Sequence, residues 1–203
     1  MKEKIILIGG GGHCKACIDV IEQEGTYQIA GIVDLPEMLH QKVLGYEVIA
    51  TDKELPDLVK EYKHFFITLG QVETANKRIK IFVKLNTISA VLPSIISPLA
   101  YVSRYSKIGK GTIIMHHALV NAGAEIGANC IINSKALIEH DTVIEDHCHI
   151  STGAAIHGGV RVCSGTFFGS NAVSREYIEI GKNSVIGCAT RVLKSVPSGS
   201  LVK

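Results

Sequence analysis

His140 and Asp141 stand side by side in Ala136-Leu-Ile-Glu-His-Asp-Thr-Val-Ile144, an otherwise apolar stretch. An imidazole titrates close to physiological pH, so it suits the removal of a proton from an attacking nucleophile. A neighbouring carboxylate can accept the hydrogen of one ring nitrogen and leave the other as the base. Five more histidines lie within the same region, at 116, 117, 147, 149 and 157. Three imidazoles converging on one ion could instead hold zinc, and His117, His140 and His149 are the set to consider. A second chemistry-bearing stretch is Ile8-Gly-Gly-Gly-Gly-His13, which follows an apolar run and opens a helical pattern. Gly10 and Gly12 supply the tight turn and close backbone approach of a phosphate-binding loop. The third glycine of a dinucleotide fingerprint is replaced by Lys15, which argues against NAD. N–H groups at such a helix start can still receive a diphosphate. Asp34, at the end of the next predicted strand, can meet a ribose or base edge.

The elements that must position these residues differ in period between the two halves. Up to about residue 92, strand and helix signals alternate: strands over 4–9, 28–33, 46–50, 64–69 and 87–92, and helices over 13–24, 53–62 and 73–84. In the first helix Cys14, Cys17, Ile18 and Ile21 share one face, and Thr51 or Asp52 is placed to cap the second. This alternation predicts an α/β unit with a parallel sheet covered on both faces. After Pro93 an aliphatic residue recurs every six positions, from Ile96 and Val102 through Ile138, Ile144 and Ile150 to Phe168. After a lapse at Ser174 the series resumes in register at Ile180, Ile186 and Val192. A small residue usually stands two places before each, and Gly or Asn often three after, where a turn needs positive φ. A hexad period over about a hundred residues predicts a parallel β-helix of five to six triangular coils. His140 and Asp141 then fall two and three places after Ile138, on an outward corner. The expected division is 1–93 and 94–203.

Composition narrows the classes further. A net charge of +2 without charge runs points away from nucleic acid and acidic membrane surfaces. The longest apolar run is too short to span a bilayer, and no signal peptide is evident, so a cytoplasmic protein is expected. Six scattered cysteines read as reduced thiols, and Cys14-x-x-Cys17, one turn apart on a helix, as ordinary packing.

Three stretches together, Ile8-Gly-Gly-Gly-Gly-His13, Asn133-Ser-Lys-Ala-Leu-Ile-Glu-His-Asp141 and His149-Ile-Ser-Thr-Gly-Ala154, resemble a bacterial family over residues 5 to about 197. The family comprises nucleotide-sugar N-acetyltransferases and sialic acid O-acetyltransferases, which join a Rossmann-like domain to a left-handed β-helix. The resemblance implies acetyl-CoA as co-substrate, no metal, a UDP-linked 4-amino-4,6-dideoxy sugar as acceptor, and a homotrimer with active-site grooves between subunits. O-acetylation of a sialic-acid-like sugar is the alternative acceptor chemistry, and a non-catalytic β-helix scaffold the alternative of another class. The resemblance further implies that His140 is the general base and Asp141 its partner. His149 becomes a contact for the thioester region, and the backbone at Gly158 an oxyanion donor. Ser170 and Cys188 match the pantetheine groove, Asn133 faces the same groove, and Gly11, Gly12, His13, Asp34 and Gly70 become nucleotide contacts. Departures occur at four places. Asp141 stands where Glu is common, Asp34-Leu35 replaces an Asp-Asp pair, and Leu69-Gly70-Gln71 replaces Ile-Gly-Asn. The end, Ser198-Gly-Ser-Leu-Val-Lys203, lacks the usual Pro-Ala-Lys tail, which is expected to alter the last coil.

Overall fold

The structure, a computed structural model, describes residues 2–203. The elements of the first half are β1 (Glu3–Ile8), α1 (Gly12–Glu24), β2 (Tyr27–Val33), β3 (Lys42–Val43), β4 (Tyr46–Ala50), α2 (Leu55–Glu61), β5 (His64–Ile67) and α3 (Asn76–Thr87). They build one sheet of order β3-β4-β2-β1-β5, parallel throughout except for the β3–β4 hairpin. The run Ile5-Ile-Leu-Ile8 is wholly buried because successive residues serve opposite faces. Ile5 and Leu7 pack with Cys14, Cys17, Ile18 and Ile21 of α1. Ile6 and Ile8 pack with Leu55 of α2 and with Ile81, Phe82 and Leu85 of α3.

Three local expectations are corrected. The second helix starts at Leu55, two residues later than its pattern suggested, with Pro56 tolerated in its first turn. Thr51 serves the turn before it: the Glu54 carboxylate accepts the Thr51 N–H at 2.7 Å and its hydroxyl at 2.6 Å. The strand expected over 87–92 is instead the end of α3 and a left-handed turn at Ser89, leaving one bridge between Val91 and His64. The β-branched pair Thr87-Ile88 mimics a strand, yet Thr87 closes α3 and Ile88 caps it. The hairpin strand β3 was not foreseen, since two residues carry no readable period.

From Ile95 onward the chain forms a triangular β-helix of two-residue strands in three parallel sheets. Through most of the helix each strand pairs with the one eighteen residues on, as in Leu119 with Leu137, which makes three hexads one coil. In the last coil the spacing shortens to sixteen, Val185 pairing with Leu201 and Ile180 bridging Val196. The second residue of each strand points inward, and the small residue two places before it fills the remaining space. Ala118, Ala124, Cys130, Ala136, Thr142, Cys148 and Ala154 are all buried. Ser174 takes an aliphatic slot without breaking register; its hydroxyl accepts the His157 N–H at 3.0 Å. At every sixth residue from Gly111 to Ala189 the corner backbone has positive φ. Gly, Asn and Asp occupy such slots most readily.

The outward first residues distinguish the three faces. One face, carrying Ile95, Ile113, Ile131, His149 and Phe167, is buried against α1 and the loop after β5 and is termed the docking face. The next carries Tyr101, Leu119, Leu137, Ala155 and Val173, an apolar and partly exposed row. The third carries Lys107, Glu125, Val143, Arg161 and Glu179 and is chiefly charged. No helix among the described residues is long and apolar enough to cross a membrane.

Candidate active site

The corner after Ile138 holds His140 and Asp141 clear of the core, as the register demanded. Asp141 sits in the left-handed slot at φ 58°, and its Oδ2 lies 2.9 Å from His140 Nδ1. The shorter arm of Asp therefore reaches the imidazole. A carboxylate there accepts the Nδ1 hydrogen and leaves Nε2 with a lone pair. Both side chains remain open to solvent, at 51% and 73% exposure. Eighteen residues on, in the same column, lies Gly158. A Cβ at 158 would stand 2.7 Å from both Cε1 and Nε2 of His140, so the ring rests on bare backbone. Asp141 lies likewise over Gly123, where a Cβ would collide with Oδ1. The Gly158 N–H has no acceptor among the described residues, while its carbonyl takes the Tyr177 N–H at 3.0 Å. Glu139, not singled out in the sequence, accepts the His140 N–H at 3.3 Å and the Asn121 amide at 2.9 Å.

Asn133 and His149 form a second group at the other edge of the apolar face. His149, expected outward on its strand, does point away from the coil, yet it is only 7% exposed because the loop after β5 covers it. Its Nδ1 lies 2.6 Å from the Gln71 carbonyl and its Nε2 3.2 Å from Asn133 Nδ2. Phe167 meets the ring edge-on at 5.2 Å. Burial foremost, with the charge of Arg78 adding to it, brings the His149 pKa down to about 4, against the pull of the Gln71 carbonyl. Ser170 and Cys188 follow on the adjoining corner, one coil apart. Ser170 Oγ is 2.9 Å from Ser151 Oγ, and Cys188 is exposed.

The glycine turn faces this second group. Gly11 and Gly12 open α1 with nothing within 4 Å of where a Cβ would be, so backbone N–H groups at the helix start stand uncovered. Gly9, at φ 103°, instead meets Leu69, with which a Cβ would clash. Asp34 braces the turn: Oδ2 accepts the Gly10 N–H at 2.6 Å, and Oδ1 the Leu35 N–H at 2.8 Å. His13 lies beside Gly70, its Cβ 3.6 Å from where a Gly70 Cβ would be. Burial chiefly, with Arg78 adding its charge, lowers the His13 pKa to about 3. His13 Nε2 and Gln71 Oε1 are buried polar atoms without a partner in the chain. Such atoms are ordinarily paired, and these two belong to residues that lie beside His149.

The predicted residues thus form two groups within one chain. His140, Asp141 and Gly158 share the corner after the apolar face. Asn133, His149, Ser170 and Cys188 belong to the docking face and the corner after it, opposite Gly11, Gly12, His13 and Gly70. Of the histidines considered for zinc, His117 is exposed on one corner, His140 stands on another, and His149 is buried. Among the described residues no three histidine, cysteine or acidic side chains gather as a metal cluster. Arg78, Gln71 and Asn129 were not anticipated as site residues. Arg78 lies in Asn76-Lys-Arg-Ile-Lys80, which reads as a solvated helix start, yet it is buried.

Residues 4–85 match the PglD N-terminal domain, and residues 105–140 match the bacterial transferase hexapeptide, six repeats. A histidine-to-asparagine variant of perosamine N-acetyltransferase from Caulobacter crescentus, in complex with CoA and GDP-perosamine, superposes with a TM-score of 0.92. It is 30% identical, over 98% of this chain and 92% of that one. The acetyltransferase domain of PglB from Neisseria gonorrhoeae FA1090 gives a TM-score of 0.90 at 29% identity, over 98% and 96% of the two chains. That domain is also known in complex with acetyl coenzyme A. WeeI from Acinetobacter baumannii AYE, at 21% identity over 100% and 97% and a TM-score of 0.85, shares the fold. The likeness spans nearly the whole of both chains, and the chain belongs to the nucleotide-sugar acetyltransferases that join a PglD-type domain to a left-handed hexapeptide β-helix.

Proposed function

We propose that the protein transfers the acetyl group of acetyl-CoA to the amine of a nucleotide-linked 4-amino sugar, with a UDP-4-amino-4,6-dideoxyhexose as the preferred acceptor. The observation that carries the catalytic assignment is the 2.9 Å contact between His140 Nδ1 and Asp141, with Nε2 lying over Gly158. In this reading the sugar amine attacks the thioester carbonyl and His140 Nε2 takes the proton the nitrogen sheds. The Gly158 N–H supports the oxyanion of the tetrahedral intermediate. Its collapse breaks the C–S bond and releases CoA as thiolate, which takes up a proton. The nucleotide is held by the helix-start N–H groups at Gly11 and Gly12, with His13, Asp34 and Gly70 around it. Binding energy far from the reacting atoms thereby orients the amine. The pantetheine arm runs past Asn133, His149, Ser170 and Cys188. Relatives bound to CoA with GDP-perosamine and to acetyl coenzyme A support both ligand classes.

The working form in this reading is a homotrimer. One chain carries the base on one edge of its apolar face and the acetyl-CoA group on the other. Packing apolar faces about a threefold axis brings the base of one copy to the pantetheine edge of the next. The compartment is the cytoplasm, where acetyl-CoA and nucleotide sugars are supplied.

The test is a CoA-release assay against UDP-4-amino sugars, GDP-perosamine and free nonulosonic acids. Turnover on an amino sugar, lost in His140→Ala, is expected. Turnover on a nonulosonic acid alone would move the reaction to O-acetylation, and no CoA release with any acceptor would leave a scaffold.

A further inference from the structure

The loop Leu69-Gly70-Gln71 leaves β5 on the nucleotide side and is fastened to the β-helix at its far end. A carbonyl only accepts, so the 2.6 Å contact between Gln71 O and His149 Nδ1 places the ring hydrogen on Nδ1. The orientation of the Asn133 amide follows independently, because its Oδ1 accepts the Ser134 N–H at 2.8 Å. Its NH2 end therefore faces His149 Nε2, 3.2 Å away, and Nε2 must be the acceptor. The chain of hydrogen bonds runs from the Ser134 N–H through Asn133 and His149 to the Gln71 carbonyl. Both ends are backbone groups with one possible direction, so every link between them is fixed.

Arg78 holds the loop that makes the last link. It is fully buried, and no carboxylate is among its partners. Nη1 donates to Leu69 O at 2.5 Å and Ile67 O at 3.2 Å, and Nη2 to Asn129 Oδ1 at 2.7 Å and Asn129 O at 3.2 Å. One guanidinium thus joins the end of β5 to a corner of the β-helix, and Gln71 Nε2 adds a contact to Gly165 O at 3.4 Å. A planar fork of donors can make this junction, and a lysine cannot.

We propose that Arg78 and Gln71 are positioning residues for the acetyl-CoA site, holding His149 as its neutral Nδ1–H tautomer so that the nucleotide-sugar domain sets the hydrogen-bonding character of that ring. The proposal rests on the reading of His149 as the thioester contact. It implies that Nε2 of His149 cannot donate to a developing oxyanion, which leaves that role to backbone N–H groups. The titratable and charged groups around the ring are Arg78 from α3 and His13 from α1, and neither supplies a negative charge.

The test is nitrogen NMR of the full chain labelled with 15N-histidine. At pH 7 His149 should show a protonated Nδ1 and an unprotonated Nε2, and both signals should persist unchanged at pH 5.5. In Arg78→Met, which keeps the bulk and removes the donors, the signals should move toward a mixture of tautomers, and KM for acetyl-CoA should rise about tenfold, the scale of one lost hydrogen bond. Should that variant not fold, Asn133→Asp, nearly isosteric and distant from Arg78, replaces a donor by an acceptor and should protonate Nε2 as well at pH 7. A protonated Nε2 with bare Nδ1 in the parent protein would overturn the proposal, as would unchanged His149 signals in a folded Arg78→Met or in Asn133→Asp. If the signals behave as stated but His149→Ala keeps the parent KM for acetyl-CoA, the tautomer stands and the thioester reading of His149 is what fails.

Discussion

At the scale of single residues, the column His140–Gly158 joins packing to chemistry most directly. The ring occupies the space a side chain at 158 would take, since a methyl group there would stand only 2.7 Å from Nε2. Gly158 is not among the positive-φ corners, so alanine is free of backbone strain there and its only effect is on the imidazole. Gly158→Ala should lower kcat by about 10² or more by displacing the base, with little change in melting temperature. His140→Ala should lower kcat by about 10² to 10⁴, the usual range for a lost general base. A Gly158→Ala enzyme with parent kcat would show that the ring can act from elsewhere. The histidine–aspartate pair itself was legible in the sequence, because hexad register alone puts 140 and 141 on a corner. The support from Gly158 could be named only through the family, since a contact between coils eighteen residues apart leaves no local signal.

Elements bring in the buried histidines. β5 ends in the loop that covers His149, and His13 lies in the first turn of α1; burial holds their pKa values at about 4 and about 3 against an ordinary 6.5. In the unfolded chain both rings bind protons once the pH falls below 6.5, while the folded chain resists until near 4. Stability attributable to these groups is therefore intact above pH 6.5 and declines as the pH falls toward 4. At 1.36 kcal/mol per pKa unit, His149 alone should cost about 2 kcal/mol between pH 6.5 and 5. Urea unfolding at pH 7 and pH 5 measures it, and His149→Gln should shrink the difference by about 2 kcal/mol while the share of His13 remains; a pH-independent midpoint in the parent protein would contradict it. This feature was not readable from the sequence. His149 stands in a strand slot that the period marks as outward, and nothing in the hexads says that another element lies over that face. The same blindness hid Arg78, whose neighbours Lys77 and Lys80 give it the look of a solvated helix. Period reports which way a residue points from its own element and carries no information about what comes to meet it.

The whole molecule adds the question of what covers the apolar face. Leu119, Leu137, Ala155 and Val173 form a column up one side of the β-helix, while the neighbouring face carries Lys107, Glu125, Arg161 and Glu179. The charged face is suited to water and the docking face is already covered by α1, so in the proposed trimer the apolar column is the surface that another copy would cover. His140 flanks that column on one edge and Asn133 on the other, which gives assembly a chemical consequence: separated chains should lose turnover even when folded. Leu137→Glu places a charge in the middle of the column without touching the coil interior, because the inward partner in that strand is Ile138. Sedimentation should show the parent as a trimer and Leu137→Glu as a smaller species with native circular dichroism, and CoA release should fall in proportion to the trimer lost. Mixing His140→Ala with Asn133→Ala subunits sharpens the test. If base and acetyl-CoA edges come from different copies, mixed trimers regain a fraction of parent activity that neither variant has alone. A monomeric parent with full turnover would mean that both edges serve one chain, and the composite groove would be wrong.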